Sequence, residues 1–142
     1  MAVTPTKIHN VLALDVGGKR VGVAMTNTLA RLPHPHATLV RDGTFWDRLK
    51  KLLSEESIAE VVIGLPRNLE GRETAQTAAT RQFTAEFQER FTVPVHMQDE
   101  ALTSHQAEQE LNARGKPFTK GDIDALAATY ILEDYLKGGL KV

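Results

Sequence analysis

Three acidic residues in this chain stand where a carboxylate calls for a physical reason. Asp15 follows the apolar run Val11-Leu12-Ala13-Leu14 and precedes Val16-Gly17-Gly18-Lys19-Arg20 and a second apolar stretch, Val21 to Met25. Two apolar runs around a Gly-rich turn read as a buried hairpin. Asp15 then lies inside a sheet, where an acid must be paired, hydrogen-bonded or metal-bound. Asp99-Glu100 ends the strand-like segment Val93–Gln98. Successive strand residues point to opposite faces, so only one of the two can join Asp15. Glu100 falls at a strand's carboxyl end, where ligand chemistry gathers in open α/β sheets. Asp124 belongs to Gly121-Asp122-Ile123-Asp124-Ala125-Leu126-Ala127-Ala128. Its small neighbours Ala127 and Ala128 would let a helix approach the sheet closely. Together the three form an all-oxygen donor set suited to hard divalent cations. Each also has a plain reading. Asp15 could cap the glycine turn, Glu100 could be a surface acid, and Asp124 could serve the dipole of a helix whose N-cap is Asp122.

The elements that would position these acids follow from periodicity. Strands are expected at Ile8–Leu14 and Arg20–Thr26, then a Pro/His-rich connection Leu32–His36 and a short strand near Ala37–Val40. A helix over about Phe45–Glu56 carries Trp46, Leu49, Leu52 and Leu53 on one side, and a strand Glu60–Ile63 ends at Gly64-Leu65-Pro66. The longest helix, Glu73–Arg90, covers the sheet with Phe83, Phe87 and its alanines. Thr103 and Gln106 fit a capping box for a helix over Ser104–Asn112. Residues 113–121 form a mobile basic loop before the last helix. Strands first, then alternating helices and strands, imply an α/β fold with a mixed sheet and helices on its faces.

The 142 residues are the size of one domain. With 42% hydrophobic and 25% charged residues the chain is an ordinary globular one. It has no cysteine, which excludes disulfides, thiolate zinc sites and a cysteine nucleophile. Neither a membrane-length apolar run nor the core of a signal peptide is visible, so the expected location is the cytoplasm. A net charge of −1 argues against a broadly basic nucleic-acid binder. A local rim of Lys19, Arg20, Arg67, Arg72, Arg114, Lys116 and Lys120 nevertheless lies beside the acidic segments. The loop Gly64–Gly71 leads to a helix start suited to a phosphate, with Arg67 or Arg72 adding charge. His34-Pro35-His36 lacks partners for a metal site, and His105, near Glu100, reads as a solvated helix histidine.

The ordered motifs Asp15-x-Gly17-x-Lys19-Arg20, Gly64-Leu65-Pro66-x-Asn68-x-x-Gly71, Asp99-Glu100-x-Leu102-Thr103 and Ile123-Asp124-x-x-Ala127-Ala128, closing in Ile131-Leu132-x-x-Tyr135-Leu136, resemble the YqgF family, also called RuvX. The match spans Ile8 to Leu136. The resemblance implies a ribonuclease H-like domain with a central five-stranded sheet, and a metal-dependent nuclease acting on nucleic acid. It makes Asp15, Glu100 and Asp124 the catalytic ligands of Mg²⁺ or Mn²⁺, Asp15 bridging two ions. It also adds Asn68 and Thr103 to the basic rim as substrate contacts. Members are linked to maturation of small-subunit ribosomal RNA precursor, with Holliday-junction resolution also proposed. The favoured substrate is precursor rRNA, which brings ribosomal particles in as partners and leaves monomer or homodimer open. Branched DNA needs two coordinated cuts and so a homodimer. A non-catalytic assembly factor is the third reading, supported by Ala101 where the family usually has arginine. Gly18 and Asn27 are further departures. Actin-like kinases share an Asp-x-Gly strand but need two related domains, and no Walker motif occurs.

Overall fold

The structure, a computed structural model, describes residues 8–100 and 103–139. Along the chain come β1 (Asn10–Val16), β2 (Arg20–Asn27), β3 (His34–Val40), α1 (Phe45–Glu55), β4 (Ile58–Pro66), α2 (Ala75–Arg90), β5 (Val95–Glu100), α3 (Thr103–Arg114) and α4 (Lys120–Gly139). The strand order is β3-β2-β1-β4-β5. The first three strands form an antiparallel meander, and β4 and β5 extend it parallel to β1. Short turns suffice between antiparallel strands, as at Gly17, whose N–H donates to the Arg20 carbonyl at 2.9 Å. Parallel neighbours need longer crossovers, and α2 provides the one between β4 and β5.

The period of two along the strands sorts side chains into two layers. Leu12, Leu14, Val16, Val21, Val23, Val61 and Ile63 pack with Phe45, Leu49, Phe83 and Phe87 of α1 and α2. On the opposite face Val11, Ala13, Ala24 and Val62 meet Ala128, Ile131 and Leu132 of α4. α3 packs outside through Ala107 and Leu111 against Leu126 and Ala127. The first layer is built on aromatic rings and the second on alanines and glycine, so α4 lies close to the strands.

Several boundaries differ from the sequence reading. β3 starts at His34, three residues early, because Pro35 sits in an edge strand that needs no N–H on its open side. β4 runs on to Pro66, pairing there with Glu100, since β1 has already ended. α2 starts after Thr74, whose hydroxyl exchanges capping bonds with Thr77. Asp122 is not the cap of α4. Thr119 is, with Asp122 Oδ2 accepting the Thr119 N–H at 2.8 Å and Thr119 Oγ1 accepting the Asp122 N–H at 3.1 Å. The basic loop expected at 113–121 is therefore two helix ends joined by residues 115–119, with Gly115 at φ +70° ending α3.

At the amino end of the sheet, Glu60 ties β4 to α4 and to the start of β1. Tyr135 donates its hydroxyl to Glu60 Oε1 at 2.9 Å, and His9 Nε2 lies 2.7 Å from Oε2. Burial raises the Glu60 pKa, but these hydrogen bonds and the charge of His9 outweigh it and hold the carboxyl below its ordinary value of 4.5. A lowered acid contributes stability that is present above its unfolded pKa and is lost as pH falls through the folded one. Glu60→Gln is expected to cost about 1–2 kcal/mol at pH 7, with the gap to the parent narrowing at pH 3. Urea unfolding at the two pH values tests this, and an equal gap at both would show that charge plays no part.

Candidate nucleolytic site

Asp15 pairs across the hairpin with Gly22 and shares the α4 face with Ala13 and Val11. The backbone of Asp124 lies directly over Gly22, where a β-carbon would sit 2.9 Å from the Ala125 nitrogen and closer still to the Asp124 carbonyl. Glycine at this register thus sets how near Asp124 comes to Asp15. Burial, followed by the charge of Asp124, pushes the Asp15 carboxyl up from 3.8 to about 7. Asp124 is held by Arg20, whose Nε donates to Oδ2 at 2.7 Å.

The alternation along β5 decides between Asp99 and Glu100. Val95 packs into the α1–α2 layer and Met97 sulfur meets Thr84 of α2, whereas the His96 ring lies against Tyr135 of α4. Even-numbered positions therefore face α4, and Glu100 shares that side with Asp15. Asp99 faces away and takes the Arg67 Nε at 3.2 Å. Glu100 Oε1 is buried with no hydrogen-bond partner. Burial, then the hydrogen-bonding proximity and charge of Asp134, then Asp15 and Asp99, push the Glu100 carboxyl up to about 9.

Asp124, Asp15 and Glu100 are thus linked in series by mutual repulsion, with Arg20 paired to Asp124 at one end and the exposed Asp134 beside Glu100 at the other. Asp134 is missing from the sequence reading. It is an exposed residue of α4, and no spacing along the helix singles it out. Among the described residues no three acidic or histidine side chains lie close enough to hold an ion as they stand. The donor set nonetheless fits a hard cation. An orphaned carboxylate oxygen and two acids whose ionisation is opposed by burial and neighbouring carboxylates are what a divalent ion would relieve, and every donor is oxygen.

The expected substrate contacts divide. Arg67 and Asn68 line a cleft of about 230 Å³ with Glu100, Asp99, Leu69 and Gly71. Asn68 Oδ1 accepts the N–H groups of Glu70 and Arg72 at 3.0 and 2.9 Å and so fixes this loop. Arg20 is committed to Asp124, Arg67 to Asp99, and Arg114 to Glu110 at 2.5 Å. Lys19, Arg72, Lys116 and Lys120 are exposed at the surface, as are His34, His36 and His105. Thr103 begins α3. Its side chain, its capping partnership with Gln106, and Ala101 lie outside the described residues.

A three-stranded meander continued by two parallel strands, with acids from the central strand, the edge strand and the last helix on one face, defines a ribonuclease H-like domain. The crystal structure of Fowlpox virus resolvase with substrate Holliday junction DNA shares the fold at a TM-score of 0.52 and 14% identity, over 93% of this chain and 99% of that one. The chain belongs to the RuvX family, described as Holliday junction resolvase, whose model matches residues 9–138. Relatives named "Putative pre-16S rRNA nuclease" include that of Haemophilus influenzae (strain PittEE), 39% identical over 89% of this chain and 94% of its own length. That of Salmonella newport (strain SL254) is 38% identical over 91% and 96%.

Proposed function

We propose that this chain is a divalent-metal-dependent endonuclease that hydrolyses phosphodiesters, with small-subunit rRNA precursor as its substrate. The observation that carries the reading is the unpartnered, buried Glu100 oxygen on the same sheet face as Asp15. The names of the relatives at 38–39% identity support the choice of substrate. Asp15, Glu100 and Asp124 are the groups we assign as metal ligands, Asp15 shared between two sites and the others completing one each. Mg²⁺ or Mn²⁺ bound there would activate a water and stabilise the leaving oxygen of the phosphodiester.

The remaining residues have supporting tasks. Arg20 neutralises Asp124 in the metal-free chain and, once Asp124 turns to a cation, is free to take a phosphate oxygen. Asp99 holds Arg67 over the cleft beside Glu100, so the strand-end pair divides its labour between a ligand and an anchor. Lys116 and Lys120, with Arg114, extend positive charge along the α3–α4 junction toward the flanking backbone of the nucleic acid. Among the described residues no helix is long and apolar enough to cross a membrane.

The test is cleavage of end-labelled small-subunit rRNA precursor and of a four-way DNA junction in Mg²⁺, Mn²⁺ or EDTA. Cutting of the RNA that stops in EDTA is the expected result. Cutting of the junction alone would overturn the substrate assignment, and binding of either without cutting would make the chain an assembly factor.

A further inference from the structure

A concavity on the α3–α4 side takes no part in the chemistry above. It is a slot of about 260 Å³ whose walls include Leu111, Pro117, Phe118, Leu126 and Pro35, the last reaching in from edge strand β3, with Arg114, Lys116 and Asp122 as its charged lining. A shallower hollow of about 320 Å³ continues it along β3 past His36, Thr38 and Thr119, the two sharing Pro35, Asp122 and Ala125. Asp122 and Ala125 flank Asp124 in sequence, so the slot opens on the other side of the helix turn that carries this acid.

Resting on the nuclease reading of the Asp15 site, we propose that this slot receives one unstacked nucleobase of the substrate strand, next to the cut. Four observations select that occupant. The slot's own volume is just under the roughly 300–1,000 Å³ typical of drug-sized ligands, enough for a single ring system. The walls are apolar and include an aromatic ring and two prolines, surfaces on which a base's flat face lies well. The lining carries two cations against one carboxylate, Asp122, which is occupied in capping Thr119; Arg114 is paired only at the exposed surface with Glu110, and the net positive charge suits a base attached to phosphates. The continuation along β3 turns polar, matching the sugar-phosphate chain that would leave the slot.

The consequence is a specificity rule. A base enters the slot only if it is out of its stack, so unpaired or branched segments are preferred and a continuous duplex must break a pair to be cut. The residues 115–119 that join α3 to α4 are then the reader of the substrate, while the acids under α4 act on any phosphodiester delivered to them.

The test uses the full chain carrying Asp15→Asn, so that binding is followed without cutting, and single-stranded RNA oligonucleotides with 2-aminopurine scanned through the sequence. At one position the emission should change on binding. Phe118→Ala should remove that change and weaken binding about tenfold, while binding to an unbroken duplex is unaltered. Phe118 also packs on the α3–α4 cluster, so the exposed Lys116→Ala, which leaves the cluster intact, serves beside it and should weaken single-strand binding more than duplex binding. Equal emission change in both variants and the parent would overturn the slot. If the parent cuts neither substrate yet shows the position-specific signal, the slot stands and the nuclease reading falls. Cutting with no such signal at any position gives the converse.

Discussion

Asp15→Asn is expected to abolish metal-dependent cleavage, by ~10³-fold or more, and at the same time to make the metal-free chain more stable above neutral pH. The two effects have one origin. In the unfolded chain the Asp15 carboxyl loses its proton near 3.8, whereas in the fold burial and Asp124 delay this to about 7. Between those values the folded state binds more protons than the unfolded one, so the free energy of unfolding falls as pH rises and the loss is complete above about 7. A shift from 3.8 to about 7 corresponds to about 4 kcal/mol. Asparagine carries no charge at any pH and retains only the cost of burying an amide, which leaves a net gain of about 1–3 kcal/mol at pH 8. Near pH 4 the gain should vanish, because aspartic acid is then neutral too. Thermal unfolding in EDTA at both pH values measures it. Adding Mg²⁺ or Mn²⁺ should raise the melting temperature of the parent and leave the variant unmoved. A parent as stable as the variant at pH 8 in EDTA would mean that Asp15 is not a stored, uncompensated acid.

The residues that were legible in the sequence are those whose placement depends on neighbours along the chain. Leu12, Leu14 and Val16 alternate with Ala13 and Asp15, and Gly17-Gly18 closes the hairpin, so an acid inside a sheet follows from ten residues. The rule that only one of Asp99 and Glu100 can face the site is equally local. The choice is not, because it depends on Val95 and Met97 packing toward α2 and His96 toward Tyr135, contacts made by other elements. Arg20 is the clearest case. Its charge beside the first motif reads as a substrate contact, but its partner lies 104 residues away, and only the seating of α4 on the sheet brings the two together. The start of β3 was hidden for a different reason, since Pro35 signals a break everywhere except in an edge strand. Asp134 depends on the angle at which α4 crosses the strands, which no spacing within the helix encodes.

Gly22→Ala should be the other change with a large effect, and it separates the role of close packing from that of charge. A methyl group at this position would overlap the carbonyl oxygen of Asp124 and stand 2.9 Å from the Ala125 nitrogen. Both atoms are helix backbone and cannot rotate away, so the first turns of α4 must lift off β2. Overpacking of this kind costs about 1–3 kcal/mol or somewhat more, or roughly 5–10 °C in melting temperature for a domain of this size. Activity should fall well beyond what the remaining folded fraction explains, because the lifted turn carries Asp124 away from Asp15 and Arg20. The response of melting temperature to Mg²⁺ should fall with it. Gly64→Ala is the matched control on the same sheet face. There a β-carbon meets the outer atoms of Ile131, its Cγ1 at 3.0 Å and its Cδ1 nearer, and a flexible side chain can turn aside at modest cost. That variant should lose some stability and keep its metal response. If the two variants lose the same activity per degree of melting temperature, the approach of α4 at Gly22 is ordinary packing. If Gly22→Ala alone silences the site, a glycine with no side chain is what holds two carboxylates within reach of one another.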